Sequence, residues 1–227
     1  MKLLSAFFIL ALLIASPVFA DDIDVMDFEK SLRDMNRVKP LQDHRYHQLK
    51  DVLNRRILDK TNRVMGTVED ITFNMDGTVA TVVADLDRLQ LGEAIPLSLE
   101  DIGIESMSKG YRVDIAGAKI EDLYSTFLAN IATASGDNNK VLSVNSLMGQ
   151  SISMQAFLNV AKVTDILFDE PATRVHAIYV TVNHRTIRKK GVALPIDAFD
   201  FSEENGRIKI MVKAGLGDSL LEYVRYN

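Results

Sequence analysis

Six residues, Val68-Glu69-Asp70-Ile71-Thr72-Phe73, return in nearly the same spelling 95 positions later as Val163-Thr164-Asp165-Ile166-Leu167-Phe168. Such an echo restricts the chain to two copies of one unit. In both copies the apolar positions slip out of step. Val68 and Val163 keep phase with Gly66 and Ala161, whereas Ile71 and Phe73, like Ile166 and Phe168, fall in the opposite phase. Because a strand turns successive side chains to opposite faces, the slip predicts a β-bulge at Asp70 and again at Asp165.

The flanking residues keep the same order twice. In the first copy Val64 to Phe73 reads as the bulged strand, Asn74-Met75-Asp76-Gly77 as a turn, Val79 to Leu86 as a β-branched strand, Glu93 to Leu97 as a third and Tyr111 to Ile115 as a last. In the second copy the bulged strand ends at Phe168, Asp169-Glu170-Pro171-Ala172 replaces the turn, and Val175 to Val182 alternates. Ala193-Leu194-Pro195-Ile196 then answers Ala94-Ile95-Pro96-Leu97. Asn205-Gly206 marks a tight turn into Arg207 to Val212, where Ile208, Ile210 and Val212 share a face. Ahead of each bulged strand, Leu147-Met148-Gly149-Gln150-Ser151-Ile152 answers Val52-Leu53-Asn54-Arg55-Arg56-Ile57. Pro96 has no N–H for a ladder, so it belongs at a strand end or a sheet edge.

Helical spacing appears outside the repeats. Val25, Phe28, Leu32 and Met35 predict an amphipathic helix over Asp24 to Asn36 that either covers an open barrel end or receives a partner. Ile120, Leu123, Tyr124, Phe127, Leu128 and Ile131 form the clearest stripe in the chain, to be covered by the units themselves or by a partner or second copy. A polar connector, Ser135-Gly136-Asp137-Asn138-Asn139-Lys140, follows it. A weaker helical signal runs from Asp218 to Tyr226.

Residues 1–20 place Lys2 before an apolar run and end on Pro17, Val18 and Ala20, the pattern of a cleavable secretory leader. Asp21, Asp22 and Asp24 follow at once, so no transmembrane segment is expected in the mature chain. The expected location is periplasmic or secreted. With no cysteine an exported chain has no disulfides to hold it, and buried apolar cores must do that work. The 26 Lys and Arg stand against 31 Asp and Glu, a balance that disfavours a nucleic-acid partner.

Candidate chemistry is sparse. Neither a nucleophile with its base nor a phosphate loop can be found, and His44, His47, His176 and His184 lie in no catalytic setting. His44 and His47 could begin a metal site with Asp43, but no third His and no Cys lies nearby in sequence, so no metal and no cofactor is expected. Asp70 and Asp165 are the best-placed carboxylates, yet they belong to separate units and suit bulge residues that bond neighbouring backbone better than a hydrolase pair. The most distinctive polar patch is a basic loop, Asn183 to Lys190, where His184, Arg185, Arg188, Lys189 and Lys190 could hold an acidic partner, an anionic headgroup or an acidic polysaccharide.

Gly66-Thr67-Val68-Glu69-Asp70-Ile71 and Ala161-Lys162-Val163-Thr164-Asp165-Ile166, each followed by a turn, a β-branched strand and Ile95-Pro96-Leu97 or Leu194-Pro195-Ile196, resemble the PRC-barrel domain. That small barrel is named for the photosynthetic reaction centre H subunit and is found in a ribosome maturation factor. The resemblance covers 46–116 and 141–213. Asn54 stands where the family often has Gly, and Ala161 where the first copy keeps Gly66. The fold it implies is mainly β with accessory helices (α+β): two tandem small antiparallel PRC-type β-barrels joined by an amphipathic helix. The divisions are a leader at 1–20, helix and linker at 21–45, the first unit at 46–116, helix and connector at 117–140, the second unit at 141–213 and a tail at 214–227. The function it implies is an adaptor or scaffold for another envelope protein, since the family has no shared catalytic residues to carry over. The alternatives are a module for a small ligand or anionic envelope polymer, and a hydrolase with a cleft between the barrels.

Overall fold

The computed structural model describes residues 23–86, 94–98, 104–107, 110–113, 141–154, 157–169, 172–184, 187–204 and 207–227. In chain order the first half forms helix α1 (Val25–Asn36), strand β1 (His47–Gln48), the one-turn helix α2 (Leu49–Val52), and strands β2 (Arg56–Leu58), β3 (Val64–Phe73), β4 (Val79–Asp85), β5 (Ile95–Ser98), β6 (Ile104–Met107) and β7 (Gly110–Val113). The second half repeats it with β8 (Leu142–Ser143), the one-turn helix α3 (Val144–Leu147), β9 (Ser151–Met154), β10 (Phe157–Phe168), β11 (Val175–His184), β12 (Ile187–Pro195), β13 (Phe199–Glu204) and β14 (Arg207–Val212), and ends in helix α4 (Leu216–Tyr226).

The strands make two sheets of one design, in the orders β5-β4-β3-β2-β7-β6 and β12-β11-β10-β9-β14-β13. Both are mixed and not purely antiparallel, because β2 runs parallel to β7 and β9 to β14. The direction follows from the connection. β12 passes through a single 3-10 turn, Ile196–Ala198, straight into β13 at the opposite edge, so β13 keeps its heading and β14 returns alongside β9. In a flat sheet five spacings would separate those edges by about 24 Å. The four peptide steps from Pro195 to Phe199 span at most about 14 Å, so the sheet is strongly curled. Among the described residues neither sheet closes on itself.

Both expected bulges are present. The β3–β4 register shifts between Val68 and Asp70, and the β10–β11 register between Val163 and Asp165. The shift lets Val68, Ile71 and Phe73, and likewise Val163, Ile166 and Phe168, all reach the buried interior. Asn54 meets the tight position of Gly149 by adopting the same left-handed backbone, φ 65° against 76°, which asparagine tolerates better than most side chains. Pro96 lies on β5, an edge strand.

The halves are not side by side as separate bodies. Strand β1 pairs with β10 of the second sheet, and β8 pairs with β3 of the first, so each half lends its opening segment to the other. The turns also meet: Val79 N–H donates to the Thr173 carbonyl (2.9 Å) and Val175 N–H to that of Gly77 (2.7 Å). Gly77 is required there, at φ 89°, because a Cβ would lie 2.5 Å from the Val175 carbonyl oxygen. A continuous core runs through both sheets, with Ile71, Phe73, Tyr111, Ile166 and Phe168 fully buried in it, and a smaller cluster of Met35, Leu167, Ala177 and Ala193 stands apart.

Helix α1 buries Phe28, Leu32 and Met35 and covers part of the second sheet. Its last residue finishes the job by hydrogen bonding. The Asn36 carboxamide donates to the Ala193 carbonyl and accepts the Ala193 N–H, both at 2.8 Å, the two bonds that another strand would make to edge strand β12. The sequence expectation missed β6, whose four residues carry no alternating pattern.

Candidate functional site

The repeated aspartates are structural. Asp70 Oδ1 accepts the N–H of Ile71 at 2.8 Å and that of Asn145 at 3.2 Å, while its Oδ2 accepts the Ser143 hydroxyl at 2.6 Å. Asp165 Oδ1 accepts the N–H of Ile166 at 2.8 Å and that of Leu49 at 3.0 Å. Each carboxylate therefore steadies its own bulge and holds the first turn of the short helix lent by the other half. The bond to the local backbone follows from the bulge; the bond across halves has no sequence signal.

A basic cleft opens beside the covered edge of the second sheet. Its volume is about 750 Å3, and its walls include Arg33 and Asn36 of α1, Arg37 at its C-terminal cap, Lys39 to Gln42 of the following turn, Tyr179 of β11, Lys190 and Gly191 of β12, Tyr223 of α4, and Asn227. No Asp or Glu is among the lining residues. Arg33 shares an exposed ion pair with Glu29 at 3.3 Å, the kind that leaves a guanidinium largely available. Arg37, Lys39 and Lys190 have no carboxylate within salt-bridge distance among the described residues.

Tyr179 forms part of the wall for a definite reason. A Cβ on Gly191 would collide with the Tyr179 hydroxyl and ring, so the glycine is what lets the phenol lie across β12. Burial, with the charge of Asp165 in support, pushes the Tyr179 hydroxyl above its ordinary value, and burial does the same at Tyr223. Both are neutral hydrogen-bond donors at physiological pH.

The sequence-read basic patch is only partly in this cleft. It is a hairpin and not a loop, since β11 runs to His184 and β12 begins at Ile187. Lys190 lines the cleft and Lys189 is exposed. Arg185 lies outside the described residues; for His184 and Arg188 only the backbone is described. The stripe of Ile120, Leu123, Tyr124, Phe127, Leu128 and Ile131 and the leader at 1–20 also lie outside them. Arg33, Arg37, Lys39 and Tyr179 were not singled out by sequence, because each is unremarkable in its own element.

Of the histidines, His176 joins a packed cluster with the junction residues Asp43, Arg45 and Tyr46. Tyr46 stacks on His176 at 5.0 Å between centroids, with the Arg45 guanidinium 5.3 Å from the phenol centroid and Asp43 paired to Arg45 at 2.7 Å. No group of three or more metal-ligating side chains occurs among the described residues, nor is any helix there long and apolar enough to cross a membrane. Comparison with known proteins finds no protein family that matches the chain and no curated protein similar to it.

Proposed function

We propose that this chain is an exported, non-catalytic binding module built from two PRC-barrel-like units, and that its working face is the basic cleft beside β12. One observation carries the reading: four cations from α1, the turn after it and β12 line a cavity without an acidic side chain, in a chain of net charge −5. Such a concentration against the overall sign steers anions to one place. The ligand is an anionic envelope polymer or the acidic face of another envelope protein, for which the chain acts as adaptor.

The barrel reading is supported by the curl forced between β12 and β13 and by the repeated strand order. Export rests on the leader pattern of residues 1–20. A non-catalytic role is supported by Asp70 and Asp165, the best-placed acids, whose oxygens are engaged by backbone N–H groups in separate sheets.

The test is a triple replacement, Arg37→Gln, Lys39→Gln and Lys190→Gln, against a control of equal charge, Lys50→Gln, Lys60→Gln and Arg63→Gln. Binding of the mature protein to anionic polymers should fall at least about tenfold in the first and little in the second. Equal losses in both would reduce the cleft to general electrostatics and overturn the reading. Cross-linking in the native envelope, with one dominant partner joined through Lys189 or Lys190, would select the adaptor form.

A further inference from the structure

We infer that the cleft takes a saccharide bearing carboxylate groups, one to three rings long; this rests on the anion-binding reading above and names its ligand class. The cavity of about 750 Å3 is within the usual range for small-ligand sites and has room for rings as well as for charge. Its donors are of two kinds. Arg33, Arg37, Lys39 and Lys190 supply four separate charges, three from α1 and the residues just after it and one from β12. Among them sit the Tyr179 and Tyr223 hydroxyls and the Gln42 carboxamide, none with a hydrogen-bond partner among the described residues.

A compact phosphate is a poorer match. Phosphate sites draw on converging backbone N–H groups and a helix N-terminus, but α1 ends at this cleft with Asn36 and Arg37 and so presents the negative end of its dipole. Attraction must come from side chains alone, which suits singly charged carboxylates at intervals along a ligand. The Tyr179 ring, laid across β12 over Gly191, offers an aromatic surface for the C–H face of a sugar, and the neutral donors suit its hydroxyls.

The repeat sharpens the assignment. Through the bulge pairing, Tyr179 opposite Asp165 corresponds to Val83 opposite Asp70. The phenol is thus particular to one copy of the repeated strand pair.

The experiment is calorimetric titration of the mature protein with trigalacturonate, its methyl ester, inorganic phosphate, a glutamate-rich peptide and anionic phospholipid vesicles. Tyrosine fluorescence gives a second readout in a chain without tryptophan. Trigalacturonate should bind and its neutral ester should not. Tyr179→Phe should retain most of the binding, while Tyr179→Ala should weaken it at least about tenfold at a temperature where circular dichroism shows both variants folded. Gly191→Ala, which displaces the ring while leaving the tyrosine in place, should weaken it similarly. Phosphate, peptide or vesicles binding as well as trigalacturonate, or indifference to Tyr179→Ala, would overturn the saccharide assignment and leave the anion site standing. Failure of every anion to bind would overturn both.

Discussion

A single carboxylate oxygen of Asp165 receives two main-chain N–H groups, one from each half of the molecule. Asp165→Ala strands both donors in a partly buried place and should destabilise by about 1–3 kcal/mol in urea unfolding. Asp165→Asn keeps the acceptor. Since burial raises the Asp165 carboxyl despite those bonds, losing its charge should cost clearly less than losing its oxygen. His176 supplies the opposite pH dependence. Burial lowers its imidazole, with Asp169 and Asp197 opposing and Arg174 and Arg45 assisting. The unfolded chain then binds a proton that the folded chain refuses, so stability is complete above the ordinary histidine value of about 6.5 and declines as pH falls below it. Melting temperatures between about pH 7.5 and pH 5.5 should fall for the native chain and fall less for His176→Phe, which keeps a ring against Tyr46.

Among the elements, α1 was legible because Phe28, Leu32 and Met35 recur at helical spacing, but nothing in that spacing says which surface they meet. Its closing contact depends on one residue. Asn36→Leu should cost about 1–3 kcal/mol and expose the Ala193 amide to faster hydrogen exchange, with protection in β10 unchanged. The bulged strands β3 and β10 were the easiest elements to read, since an apolar phase slip has few other causes. Strands β1 and β8 were the hardest. Two residues cannot display a period, and the backbone bonds that place them on the opposite sheet involve no side-chain pattern at all. The cleft was illegible for a related reason: Arg33 belongs to the ordinary polar face of a helix and Arg37 to its cap, and only the fold brings them to Tyr179 and Lys190.

At the scale of the molecule, a core shared by both sheets and two lent segments make the halves depend on each other. Calorimetry should show one cooperative transition, not two. If a protease site is placed within 135–140 and cut, the two pieces should stay together through size-exclusion chromatography and separate only on unfolding. Two independent transitions, or pieces that part under native conditions, would contradict the shared core.

The exchange of opening segments also fixes a stoichiometry. A protein assembled from two identical chains must present every surface twice, whereas a duplicated unit tied into one chain can alter one copy and keep the contacts that hold both. Here the lent segments and their aspartates remain alike, while the position of Tyr179 in one copy is held by Val83 in the other. The symmetry of the scaffold is therefore not inherited by its binding face, and each molecule should saturate at one equivalent of ligand.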